Sequence, residues 1–201
     1  MKGSYLKPFL TAALIIIADQ IIKIWVKSHM YIGQEIRFMG KYGMLHYTEN
    51  NGMAWGLELG GDMGKLVLTL FRIAAVCGIG YGMYYLIKHK KHRGLIMNVA
   101  LIFAGAMGNI IDSTFYGVIY HYDRLFHGRV VDMFYFPLIS GYFPKWFPVW
   151  GGEDFIFFRP IFNLADSAIS VGVILILIYQ KHYFKHETAE EKSIDSEVVE
   201  E

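Results

Sequence analysis

Apolar residues gather in four long blocks along this chain, at about residues 8–26, 65–87, 94–112 and 161–179. Each is long enough for a helix to cross a hydrocarbon core, which takes about 20 residues. Four transmembrane helices are therefore expected. The first block carries Asp19 and Lys23 inside its apolar stretch and lacks a small-residue cleavage site, so it reads as a span and not as a removable leader. Two longer segments, 27–64 and 113–160, alternate with one very short one, 88–93. Within the first, Tyr31-Ile-Gly-Gln-Glu-Ile-Arg-Phe-Met and Met44-Leu-His-Tyr-Thr are rich in aromatic and branched residues, the composition of strands. A small sheet lying on the membrane surface is expected there. The second holds Tyr142, Phe143, Pro144, Trp146, Phe147, Pro148 and Trp150, residue types that favour the headgroup interface.

Composition agrees with a membrane protein. Of 201 residues, 54% are hydrophobic and 18% charged, and the mean hydropathy is +0.33. Average soluble domains are about 45–50% apolar and about 25% charged. A net charge of +1 gives no reason to expect nucleic acid as a partner. The lone Cys77 excludes an internal disulfide and reads as a small buried hydrophobe, not as a thiol nucleophile.

Lysine and arginine set the expected orientation. Lys88-His-Lys-Lys-His-Arg93 fills the short connection, Lys2 and Lys7 precede the first span, and Lys181 and Lys185 follow the last. With four spans these groups share one side, and the positive-inside rule makes it cytoplasmic. Both termini are then cytoplasmic, and segments 27–64 and 113–160 lie outside. Residues 1–186 are expected to form the membrane domain. Residues 187–201, which include Glu190, Glu191, Asp195, Glu197, Glu200 and Glu201, read as an acidic, disordered cytoplasmic tail.

Two aspartates carry the candidate chemistry. Asp132 sits in Arg129-Val-Val-Asp-Met-Phe-Tyr-Phe, and Asp166 in Phe162-Asn-Leu-Ala-Asp-Ser-Ala-Ile at the mouth of the fourth span. Ionisable groups at a membrane boundary are costly and rarely idle. Two carboxyls brought together do not both ionise easily, so one activates a water while the other, protonated, polarises a carbonyl. Asp19 and Lys23, four apart on one helix face, either orient substrate or form a structural ion pair. Asn109 and Asp112 share a face of the third span, as Asn163 and Asp166 do on the fourth. The two Asn-x-x-Asp pairs are expected to join in one polar cluster, catalytic or purely structural. Asn50-Asn-Gly-Met-Ala-Trp55 is an ordinary turn on composition alone; a loop presenting polar groups to an extended peptide is the other reading. Zinc, nucleophile-elbow and phosphate-loop motifs are absent from the sequence, and His121 and His127 lack partners at ligand spacing. A small transporter with the Asp and Asn residues as a polar path is the rival reading, which broken helices and internal repeats would mark, and a purely structural assembly factor is a third.

Taken in order, Asp19-x-x-x-Lys23, Asn50-x-Gly-x-Ala-Trp55, Gly105-x-x-Gly-Asn-x-x-Asp112, Val130-Val-Asp132 and Phe162-Asn-x-Ala-Asp-Ser167 resemble the bacterial lipoprotein signal peptidases (signal peptidase II). The resemblance implies an all-α membrane protein of four spans, with a small extracytoplasmic β-sheet and an outer loop over the active site. It implies an aspartic endopeptidase of the inner membrane that removes signal peptides from prolipoproteins, just before a cysteine already carrying diacylglycerol. Its dyad matches Asp132 and Asp166. Its supporting residues match Asp19, Lys23, Asn50, Gly52, Ala54, Gly105, Asn109, Asp112, Asn163 and Ala165. No metal or cofactor is implied; the partners are lipid-modified prolipoproteins and membrane lipid. Segments around residues 31–55 and 142–150 are expected to clamp the substrate over the site. Two features depart from the family: the arginine usual after the aspartate matching Asp112 is Ser113 here, and stretches 113–129 and 134–162 are longer.

Overall fold

A computed structural model describes residues 6–51, 61–137, 139–157 and 159–185. The elements run α1 (Leu6–His29), β1 (Glu35–Arg37), β2 (Met44–Asn50), α2 (Gly61–Lys88), α3 (Arg93–Ile119), β3 (Val130–Tyr135), β4 (Ile139–Tyr142), β5 (Asp154–Phe157), β6 (Ile161–Phe162) and α4 (Leu164–Tyr183). The helices have 24, 28, 27 and 20 residues, long and apolar enough to cross a membrane. Their exposed faces carry Leu10, Leu14, Ile17 and Ile21 on α1 and Ile174, Leu177 and Ile178 on α4. In water such faces would need covering; in a bilayer, lipid is the solvent they meet. Cys77 lies exposed on α2, contrary to the buried position expected from its apolar setting. Exposure on a spanning helix is itself an apolar environment, so the chemical preference is met from outside.

The helices differ in extent from the apolar blocks, and at two ends the reason is visible. Helix α3 continues past Asp112 to Ile119 because Ser113 and Thr114 are buried against the returning chain. Helix α4 starts only at Leu164, because Ile161 and Phe162 are drawn into a strand opposite Tyr135 and Phe134.

Contacts divide the chain into two compact units. One contains the chain up to Ala18, Leu70–Ile110 and the part from Ala165 onward. Here α3 and α4 meet through small residues, with Ala100, Ala104, Ala165 and Ala168 buried. A Cβ on Gly105 would stand 2.2 Å from the Ala165 carbonyl oxygen, and one on Gly172 would stand 2.7 Å from that of Asn98. Close approach of backbones gives these helices their dispersion contacts where no hydrophobic effect operates between them. At the far end of α4, Tyr183 receives a hydrogen bond of 2.9 Å from the Asn98 amide.

The other unit, Asp19–Thr69 with Ile111–Leu164, holds a four-stranded antiparallel sheet of order β1-β2-β3-β6. Its core joins Val26 of α1, Met30 just after it, Tyr116 of α3, Tyr47 of β2 and Val131 and Met133 of β3. Between α3 and β3 the chain folds back on itself. The amides of Tyr122, Phe126 and Gly128 donate to the carbonyls of Gly117, Thr114 and Ser113, which satisfies the end of the helix. From α2, the Thr69 hydroxyl donates to the Phe126 carbonyl at 3.0 Å. Only glycine fits at 128, since a Cβ there would stand 2.0 Å from the Asp112 carbonyl oxygen. Strands β4 and β5 form a separate hairpin.

A Gly105→Ala substitution should force α3 and α4 apart, because its methyl meets backbone and not a movable side chain. Overpacking of this kind costs about 1–3 kcal/mol. Unfolding of the purified protein in mixed micelles should register that loss; a variant as stable as the wild type would contradict the packing described.

Candidate active site

Asp132 is the third residue of β3. Strand alternation sends Val131 and Met133 into the core with Tyr47 and Tyr116, and Asp132 to the opposite face. There it is buried opposite Thr48. The Asn163 amide donates to Asp132 Oδ1 at 2.7 Å and to the Val131 carbonyl at 3.3 Å. Asn50, the last residue of β2, donates to Asp132 Oδ2 at 3.4 Å. The side chain is thus held from both neighbouring strands of the sheet, since Asn163 directly follows β6.

Asp166 occupies the first turn of α4. A carboxylate is favoured there by the exposed amides and dipole at a helix N-terminus. Asn109 of α3 donates to Asp166 Oδ1 at 2.8 Å. The close α3–α4 contact between Gly105, one turn before Asn109, and Ala165, directly before Asp166, brings that asparagine within reach. Gly105 and Ala165 therefore act by permitting approach, through their small size.

The two Asn-x-x-Asp pairs are crossed. Asn109 bonds Asp166 and Asn163 bonds Asp132. Asp112 instead joins α1. Lys23 Nζ lies 2.7 Å from Asp112 Oδ2 and 2.8 Å from Asp19 Oδ2, and all three side chains are fully buried. Gln20 donates to Asp112 Oδ1 at 2.9 Å and accepts from the Tyr116 hydroxyl at 3.1 Å. The second oxygen of Asp112 also receives the Val131 amide at 3.4 Å. This buried network ties α1 and α3 to the residue before Asp132. Lys23 is enclosed between two carboxylates, the structural form of the pairing expected from its spacing to Asp19.

Gln20, Tyr116 and Gly128 were not apparent as site residues. Gln20 breaks an apolar run beside Asp19, and Tyr116 lies one turn beyond Asp112, so each left a faint periodic signal. Gly128 left none. Gly52 and Ala54 lie outside the described residues, as does the acidic tail.

Ser113 is buried, and its carbonyl, not a charge, serves the fold by accepting from Gly128. Cationic groups enter nearby from elsewhere. Lys27 forms an ion pair with Glu49 of β2 and lies over the rings of Tyr120 and Tyr122 at 4.7 and 4.9 Å. Arg129 reaches Glu49 Oε2 at 3.4 Å and also covers Tyr122. Burial pushes the Glu49 carboxyl up, but hydrogen bonds from Lys27 and Tyr47, with the Lys27 and Arg129 charges, outweigh it and hold the group below the ordinary glutamate value. Among the described residues, no three His, Cys, Asp or Glu side chains are grouped to hold a metal ion.

Comparison with known proteins gives one family. The family model described as "Signal peptidase (SPase) II" matches residues 11–181. The lipoprotein signal peptidase of Porphyromonas gingivalis is 48% identical over 181 residues, covering 82% of this chain and 78% of its own length. That of Amoebophilus asiaticus is 38% identical, covering 94% of this chain and 85% of its own. A solved bacterial membrane enzyme superposes with a TM-score of 0.61 at 28% identity, covering 87% of this chain and 92% of that one.

Lys23→Met should be severe, because it leaves Asp19 and Asp112 buried without their shared cation. Removing one partner of a buried ion pair costs about 3–5 kcal/mol. Chemical unfolding in micelles checks this; a loss below about 1 kcal/mol would show that the pair is dispensable. Glu49 predicts a pH dependence. Its folded pKa lies below the unfolded value, so its contribution is present above about pH 4.3 and is lost as pH falls through the folded value. The thermal midpoint of the wild type should therefore fall further than that of Glu49→Gln between about pH 5 and pH 3. Parallel profiles would contradict the pairing.

Proposed function

Because the chain belongs to the signal peptidase II family, we propose that it is an aspartic endopeptidase that removes signal peptides from prolipoproteins, with Asp132 and Asp166 as the acid–base pair. The observation that carries the reading is the matched anchoring of these two carboxylates, each fixed at Oδ1 by an asparagine amide from another element. Fixing the side chains removes the reorganisation that would otherwise accompany proton transfer. Asp166 also stands in the first turn of a helix long enough to span the membrane, at the boundary where a lipid-anchored peptide would be met.

The chemistry follows from sharing one proton between two carboxyls. The ionised aspartate takes a proton from water as its oxygen bonds to the scissile carbonyl carbon. The protonated aspartate hydrogen-bonds the carbonyl oxygen and stabilises the tetrahedral adduct. The proton taken from water then passes to the amide nitrogen as the C–N bond breaks. One product gains a carboxyl group and the other a free amine, and both aspartates return to their starting states. The pair titrates as a unit. A diacylglyceryl-modified cysteine after the scissile bond keeps the substrate in the bilayer and fixes the depth at which the bond is presented. Asn50, beside Asp132, lies in the first of the two segments, around residues 31–55 and 142–150, that would clamp the extended chain.

The side of the membrane follows from Lys88, Lys90, Lys91 and Arg93 between α2 and α3, and from Lys181 and Lys185 at the end of α4. These face the cytoplasm, and the sheet faces outward.

Asp132→Asn and Asp166→Asn should each insert and fold but lose at least about 10²–10⁴ in cleavage of a diacylglyceryl-modified precursor. Wild-type activity should withstand strong chelators, and zinc should not rescue either variant. Turnover by either variant near the wild-type rate would overturn the pair. Reporter fusions after Lys90 and after Tyr142 should report opposite sides of the membrane; the same side for both would refute the topology.

A further inference from the structure

The β4–β5 hairpin lies within stretch 134–162, and the acid–base chemistry proposed for Asp132 and Asp166 does not involve it. Its ends are closed by mutual hydrogen bonds of 2.9 Å, Phe143 amide to Glu153 carbonyl and Gly152 amide to Phe143 carbonyl. Beneath the tip it has a small aromatic core. Phe143 packs against Phe147 and Phe155 with ring centroids 5.1 and 5.2 Å apart, and Trp150 lies 6.1 Å from Phe143. Gly151 makes the turn tight, since a Cβ there would stand 2.6 Å from the Lys145 carbonyl oxygen.

This scaffold holds apolar groups outward. Tyr142 is 75%, Trp146 80% and Val149 85% exposed. Val149 also has a φ of 73°, a left-handed conformation that β-branched residues rarely adopt. A glycine or asparagine would relieve that strain and remove the exposed apolar surface. Backbone strain of this kind points to function when the surroundings enforce it.

The tether limits what the tip can meet. Leu164, the first residue of the α4 span, is seven positions beyond Phe157 at the end of β5. At about 3.4 Å per residue the hairpin base stays within about 24 Å of that membrane boundary. Between residues 139 and 159, Lys145 and Arg159 balance Glu153 and Asp154. A neutral element showing tryptophan, tyrosine and valine suits the lipid–water interface, where aromatic rings settle at headgroup depth. We propose that this hairpin is an interfacial anchor, its Trp146–Val149 tip seated in the outer headgroup layer of the bilayer that the helices cross. The anchor rests on the spanning reading of the helices and not on the roles of Asp132 and Asp166.

The test uses full-length protein with Cys77→Ala, one copy per phosphatidylcholine nanodisc, without substrate. Spin labels are placed at Lys145→Cys, beside the tip, and at Glu153→Cys as an exposed control. The ratio of oxygen to nickel-chelate accessibility should be several-fold higher at 145 than at 153, and unchanged at high salt. Adding Trp146→Ser and Val149→Ser should bring the label at 145 to the control value. Asp166→Asn should leave both readings as they were, which separates this anchor from the catalytic proposal. Equal ratios at 145 and 153 would overturn it. So would shielding at 145 that appears only with a lipopeptide, which would make the tip a substrate contact.

Discussion

Lys23 is the constraint on which the sheet-bearing unit depends. Its ammonium group is fully buried in a membrane-spanning helix, where a lone charge is strongly disfavoured. Two carboxylates within 2.8 Å make the position tenable, and each comes from a defined place: Asp19 one turn away and Asp112 on α3. Burial sharpens the geometry, because in a low dielectric an unsatisfied lone pair or donor is expensive. Asp112 therefore spends its remaining acceptor capacity on the Gln20 amide and the Val131 backbone. The helix pair and the strand that carries Asp132 are linked by one polar network. Gly128, pressed against the Asp112 carbonyl, lets the chain return to β3 at this point.

The bilayer inverts the usual rule for where polar groups belong. Exposed faces of the spans carry leucine, isoleucine, valine and aromatic residues, while Asp19, Lys23, Asn98 and Asp112 are inside. Between α3 and α4 small residues supply close contact, and Asn109 uses it to hold Asp166. The sheet does the corresponding service for Asp132 through Asn50 and Asn163. Each aspartate is thus positioned by a different kind of structure, a helix pair for one and a strand edge for the other.

Much of the fold was legible in the sequence because membrane spans announce themselves by length and apolarity. The four helices, a small sheet and the Asp19–Lys23 proximity follow from spacing and residue type. Long-range pairing does not. Asn109 and Asp112 share a helix face, yet α3 splits them between partners, because Asp112 is drawn to Lys23 and Asn109 to Asp166. Ile161 and Phe162 continue an apolar block, but a free edge of β3 recruits them as a strand. The exposed Cys77 was misjudged because an apolar run does not say whether its solvent is protein or lipid. The resemblance to the signal peptidase II family reaches further than any of these: it was carried by the order of five short motifs, and the family model matches residues 11–181.

Amide hydrogen exchange at Val131 tests the central claim most directly: that Lys23, through Asp112, holds the strand carrying Asp132. In Lys23→Met, Val131 should lose much of its protection while Ala100 and Ala104, in the other unit, keep theirs. Wild-type protection at Val131 in that variant would show that the buried lysine does not position the strand.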